Sequence, residues 1–149
     1  MQPRVSLLVV GVLIFLASSL TASAETQGDD LLGRYWFPDK TGQVELLREG
    51  DRYVGRVVAY DEPEQLDENN PDPALQGRRF VGIDMFWDFR FDPGEGQWVD
   101  GRIYDGNSGS TYACYLWFED GDTSVLWARG YIGISLLGRT ERFERVTTP

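Results

Sequence analysis

The sequence predicts an all-β fold, an eight-stranded antiparallel up-and-down barrel with at most one or two short helical turns. Three observations lead there. Short runs rich in aromatic and β-branched residues recur from Gly33 onward, Gly, Asp, Asn and Pro separate them, and no stretch of that region keeps the 3.6-residue apolar spacing of a helix. Eight meandering strands remove their exposed edges most completely by closing on themselves, which favours a barrel over the runner-up, a sandwich.

The chain starts with a different kind of segment. Arg4 precedes an apolar run over 7–16, and Ala22-Ser23-Ala24 stand before Glu25. A basic start, a hydrophobic centre and small residues at the cleavage positions read as a signal peptide over 1–24. The run breaks at Ser18 and Ser19, short of the ~20 apolar residues that span a bilayer. A single domain over 25–149 is therefore expected in the periplasm or secreted, with no stable membrane insertion after cleavage. Glu25 rather than a cysteine follows the expected cleavage site, so no lipid anchor is expected there.

Residues 25–30 are polar and read as a loose leader. Strands are then expected at 33–37, 43–48, 53–59, 83–91, 98–104, 110–118, 124–129 and 138–146. The turns between them carry glycine where a reversal needs positive φ: Thr41-Gly42, Glu49-Gly50-Asp51, Pro93-Gly94-Glu95-Gly96 and Asp120-Gly121-Asp122. The helical turns are placed near Pro73-Ala74-Leu75 or over 134–137. In the sixth strand both alternating sets are largely apolar, Tyr112, Cys114, Leu116 and Phe118 against Ala113, Tyr115 and Trp117. Such a strand is covered on both faces or lines an interior. Gly55 and Gly101 sit inside strands, where they mark bulges in a curved sheet.

One loop is long. The stretch from Tyr60 to Gly82 holds Asp61, Glu62, Asp67, Asn69, Asn70, Asp72 and two arginines, Arg78 and Arg79, and loops of this length are often binding elements. Its oxygen-rich chemistry raises calcium, but the spacing lacks the glycine and distant glutamate of an EF-hand. Side chains that bond local backbone explain the composition without a metal. No metal and no cofactor are expected.

Composition excludes several functions. The formal net charge is −10, and loss of Arg4 with the leader makes it −11, so nucleic acid and anionic surfaces are repelled. There is no histidine, Lys40 is the sole lysine, and Cys114 is the sole cysteine, in an apolar setting that suits a buried inert thiol. The remaining enzymatic reading is a carboxylate dyad for hydrolysis, drawn from groups such as Glu45, Asp84, Asp88 or Glu119. Five Trp, seven Tyr and eight Phe supply either an ordinary core or the lining of a ligand cavity.

A series of motifs runs through the chain: Leu66-Asp67 with Asn69-Asn70-Pro71-Asp72-Pro73, then Arg78 and Gly82, Gly101-Arg102-Ile103-Tyr104-Asp105, Gly109, Thr111-Tyr112, Cys114, and Arg129-Gly130-Tyr131-Ile132-Gly133 before Gly138-Arg139-Thr140. It resembles a family of small exported bacterial proteins catalogued as a domain of unknown function, from Leu32 to Val146. Gly106 stands where that pattern usually has proline, and Ser110 where it usually has lysine. The resemblance implies a lipocalin-like, or calycin-like, barrel. It also implies that an aromatic of the Gly33, Tyr35, Trp36 strand closes the barrel floor under a late arginine, Arg142 or Arg145.

The function expected is non-enzymatic: a barrel that holds a small apolar or amphipathic ligand, a lipid or fatty acid, beneath the long loop. The pocket candidates are Tyr53, Phe86, Trp98, Tyr112, Leu116 and Trp127. Asp67, Asn69, Asn70 and Arg78 are the candidates to order the loop or touch the ligand. The alternative is an envelope or secreted protein-interaction domain with no internal ligand, and the carboxylate hydrolase stands third.

Overall fold

A computed structural model of the chain describes residues 25–134 and 137–147. The predicted signal segment lies outside the described residues. Eight strands follow one another in a single antiparallel sheet: β1 (Gly33–Trp36), β2 (Gly42–Glu49), β3 (Arg52–Tyr60), β4 (Asp84–Asp92), β5 (Gln97–Asp105), β6 (Ser110–Phe118), β7 (Val125–Tyr131) and β8 (Arg139–Glu144). The sheet closes where β1 meets the end of β8. Tyr35 bridges Arg145 there, and the Val146 amide donates to the Arg34 carbonyl at 2.8 Å. The expected eight-stranded lipocalin-like barrel is the fold.

Strand alternation decides what faces inward. In β2 the inward set is Val44 and Leu46, both fully buried, while the alternate residues Glu45 and Leu47 are more exposed. In β7 it is Leu126 and Ala128, again buried, opposite Trp127 and Arg129. Curvature comes from shifts in register. These fall between Gln43 and Val44 where β2 pairs with β3, on either side of Gly55 where β3 pairs with β4, and between Trp98 and Gly101 where β5 pairs with β6. A side-chain carbon on Gly101 would lie 2.3 Å from the Phe89 ring, so only glycine lets that aromatic cross the barrel.

One end of the barrel is filled. Tyr35, Leu46, Phe86, Phe89, Trp98, Leu116 and Leu126 are fully buried. The polar segment expected to be a loose leader instead forms a 3-10 turn, Gly28–Leu31, across this end. The Trp98 indole donates to the Gly28 carbonyl at 3.0 Å, the Tyr35 hydroxyl donates to the Leu31 carbonyl at 2.9 Å, and the Tyr53 hydroxyl donates to Asp29 Oδ1 at 2.8 Å. Leu31 is 0% exposed, a burial worth about 2 kcal/mol. A single buried leucine and three ring donors thus fix a segment whose acidic composition hides it from a periodicity reading.

A second short helical turn among the described residues is Glu119–Gly121; at 73–75 the backbone makes ordinary turns. Near 134–137 the Leu137 amide donates to the Ile134 carbonyl at 3.2 Å, while residues 135 and 136 lie outside the described residues.

Candidate ligand cavity

The four connections opposite the plugged end surround a cavity of about 700 Å³. Its wall is largely apolar: Phe37, Phe80, Met85, Ile103, Ala128 and Phe143, joined by the rings of Tyr60, Tyr104, Tyr112 and Tyr131. The space exists because the inward residues of β7 shrink toward this end. Leu126, opposite Phe118, gives way to Ala128 and then to Gly130, opposite Cys114. Close-packed interiors leave volume only where side chains are too small to meet. Phe143 packs edge-on against Phe86, ring centroids 5.4 Å apart, and so links the cavity to the filled half below it.

At the mouth, Ile132 and Leu137 line the cavity while being 71% and 78% exposed. Large apolar groups left in water beside a concave apolar surface make this the candidate site. The charged lining groups are Asp39, Asp105, Glu141 and Arg139. Arg139 pairs with Glu141 at 2.5 Å. Asp39 accepts from the Thr41 amide and hydroxyl, and Asp105 accepts from the Asn107 amide and the Ser108 hydroxyl, so both carboxylates form local turn bonds.

The long loop is ordered by its own polar groups. Leu66 bridges Arg79, and the Asp67 and Phe80 amides donate to the Arg78 and Gln65 carbonyls. Asp67 is 1% exposed. Its carboxylate accepts from Arg78 Nε at 2.9 Å, from Asn70 Nδ2 at 2.8 Å and from the Tyr104 hydroxyl at 2.5 Å. A buried charge this well partnered holds its geometry. Burial, then the bond to Asp67, pushes the Tyr104 phenol up to about 12. The Asn69 side-chain amide donates to the carbonyls of Gly106 and Asn107, stapling the loop onto the β5–β6 connection.

The structure brings Asp67, Asn70 and Arg78 together with Tyr104, and Asn69 beside them. These groups order the loop, and through Tyr104 they buttress the cavity wall. Tyr112 lines the cavity. Phe86, Trp98 and Leu116 belong to the filled half, and Tyr53 reaches the Gly28–Leu31 turn. Trp127 lies on the outer face, stacked beside Trp117 at 6.1 Å and 17°, with the Arg142 guanidinium over it at 5.4 Å. Of the two late arginines, Arg145 is the one over the floor aromatic, 4.7 Å from the Tyr35 ring.

Phe37, Tyr60, Phe80, Ile103 and Phe143 were not anticipated as lining groups. A signal for Ile103 existed in the register: it pairs with Phe86 on one side and Tyr112 on the other, so all three share the inner face. The carboxylates considered for hydrolysis lie elsewhere. Glu45 pairs with Arg34 and Asp84 with Arg56 on exposed surfaces, and neither Asp88 nor Glu119 is among the lining residues. Cys114 is buried, and that burial raises its thiol well above the usual range, away from nucleophilic use.

Comparison with known proteins agrees with this architecture. Residues 33–145 match the family described as "Uncharacterized protein conserved in bacteria (DUF2147)". Protein HP1028 from the human pathogen Helicobacter pylori, described as belonging to the lipocalin family, superposes with a TM-score of 0.69 at 20% identity, over 78% of this chain and 83% of that one. No curated protein matches the chain.

Proposed function

We propose that this chain, which belongs to the DUF2147 family of uncharacterised bacterial proteins, is a non-enzymatic carrier that binds one small apolar or amphipathic molecule, such as a lipid, in the open half of its barrel. The observation that carries this reading is the cavity of about 700 Å³ with exposed Ile132 and Leu137 at its mouth. Ligand sites commonly measure ~300–1,000 Å³ and are mostly apolar with a few polar groups. The leader-like start of the sequence supports a place of action outside the cytoplasm.

Native mass spectrometry of the protein purified from its natural host, compared with a denatured extract, tests the carrier. A stoichiometric extra mass that is lost on extraction is expected. A bare monomer that also stays bare after incubation with a lipid mixture would overturn it.

A second reading has its own observation. On the outer face Tyr115 stacks on Trp117 at 5.4 Å, Trp117 beside Trp127, and Arg142 covers Trp127. Half-exposed aromatics with arginine are enriched at protein interfaces. Trp117→Ala combined with Trp127→Ala would abolish partner capture under this reading and leave ligand mass unchanged.

A further inference from the structure

We infer that the cavity selects a ligand whose polar head is cationic, an alkylamine or alkylammonium type of amphiphile, over one with an anionic head such as a free fatty acid. This inference rests on the carrier reading above and narrows its ligand class.

The charge balance of the lining carries the argument. Three carboxylates, Asp39, Asp105 and Glu141, stand against one cation, Arg139. Arg139 pairs with Glu141, and its side chain is 87% exposed, so water screens its charge. Among the described residues no cation pairs with Asp39 or Asp105. The sole lysine, Lys40, is held by Glu144 instead. An alkyl carboxylate seated in the apolar wall would therefore bring its charge to a lining in which carboxylates outnumber the single arginine, itself already paired with one of them. A head group of opposite sign finds an excess of carboxylates.

The uncharged part of the lining points the same way. Tyr60, Tyr112 and Tyr131 with Phe37 and Phe80 give the cavity a wall rich in aromatic rings, and ring faces attract ammonium groups and repel carboxylates. Asp39, in the β1–β2 connection, and Asp105, at the end of β5, both line the cavity from separate parts of the chain. The field of the whole chain, with a formal charge of −10, adds to the same preference at longer range.

The test is calorimetric titration of the protein, expressed from its full sequence, with a straight-chain primary amine, the alcohol and the carboxylic acid of equal carbon number, each below its micelle threshold. The amine is expected to bind about tenfold or more tightly than the acid, with the alcohol between them. Added salt should narrow the gap between amine and acid. Asp39→Asn with Asp105→Asn keeps the Oδ1 acceptors of the Thr41 and Asn107 amides, while at 105 the amide nitrogen can donate to the Ser108 hydroxyl in place of accepting from it; the pair of substitutions should lower the amine-to-acid ratio by about tenfold. An acid that binds as tightly as the amine, or a ratio insensitive to both salt and the double substitution, overturns the inference and leaves the carrier standing. Failure of all three compounds, with a bare native mass, overturns the carrier and this inference with it.

Discussion

The guanidinium of Arg145 lies 4.7 Å from the centre of the Tyr35 ring and locks the plugged end of the barrel. Its nitrogens donate to the carbonyls of Leu32, Asp30 and Thr123 at 2.7, 2.6 and 2.8 Å. One side chain therefore joins β1, the Gly28–Leu31 turn and the β6–β7 connection at the point where the sheet closes. Arg145→Ala removes three charged donors and a cation–π contact, and should cost about 3 kcal/mol in urea unfolding. Arg145→Lys should recover only part of it, since a point charge cannot reach three divergent carbonyls.

The bond between Tyr104 and Asp67 makes a second test. Tyr104→Phe leaves Asp67 with Arg78 and Asn70, and an expected loss of about 1–2 kcal/mol at neutral pH. Asp67→Ala is worse, because Arg78 and the Tyr104 hydroxyl both lose their acceptor; about 3–4 kcal/mol is expected.

Alkaline pH acts on the same bond. Burial first, then hydrogen bonds to Asp29 and Asp67, push the Tyr53 and Tyr104 phenols from 10.0 up to about 12. A folded pKa above the unfolded one stabilises the fold fully below pH 10 and loses that contribution as pH rises through about 12. Melting temperature should therefore fall between those values, in step with tyrosinate absorbance, and fall less steeply in Tyr104→Phe. A flat profile to pH 12 would contradict the burial of these hydroxyls.

The fold was legible because alternation and turn chemistry are local. Leu126 and Ala128 against Trp127 and Arg129 in β7 already state which residues face in. What alternation lacks is height along the barrel axis. Trp98, Phe86 and Leu116, expected to line the pocket, are buried in the half that Leu31 and Tyr35 fill, whereas Tyr112 lies in the half left open by Ala128 and Gly130. Depth follows from strand stagger and from where the chain plugs the barrel, and the plug is an acidic turn without periodicity. Phe37 and Phe80 enter the wall from connections, where no period applies. The Asp67 cluster was easier to read, since its groups fall within one loop; its outside partner, Tyr104, arrives by tertiary contact.

The joint between the two loops at the cavity rests on Gly109. Its φ is +70°, and a side-chain carbon there would stand 1.9 Å from the Asn69 carbonyl oxygen. Gly109→Ala cannot be accommodated without lifting the long loop from the β5–β6 connection, and should cost about 2–3 kcal/mol. Limited proteolysis should then cut within 61–80 at a protease level that spares the unaltered protein. Unchanged protection would mean that the Asn69 contacts do not hold the loop.

Filling the cavity separates ligand binding from stability. A side-chain carbon on Gly130 meets Ile103 and Tyr112 at an ordinary 3.5 Å, and Gly130 is a lining residue. Gly130→Leu therefore places its branched end in space that the fold leaves open rather than in the packed half. Stability should change by less than about 1.5 kcal/mol, since no close-packed neighbour must move and glycine's backbone entropy is removed. Ligand capacity should fall severely, read as loss of the extra mass in native spectra and of the amine's binding heat. Retention of both by a folded Gly130→Leu protein would mean that the ligand does not enter this half of the barrel, and would turn attention to the outer Trp117 and Trp127 face.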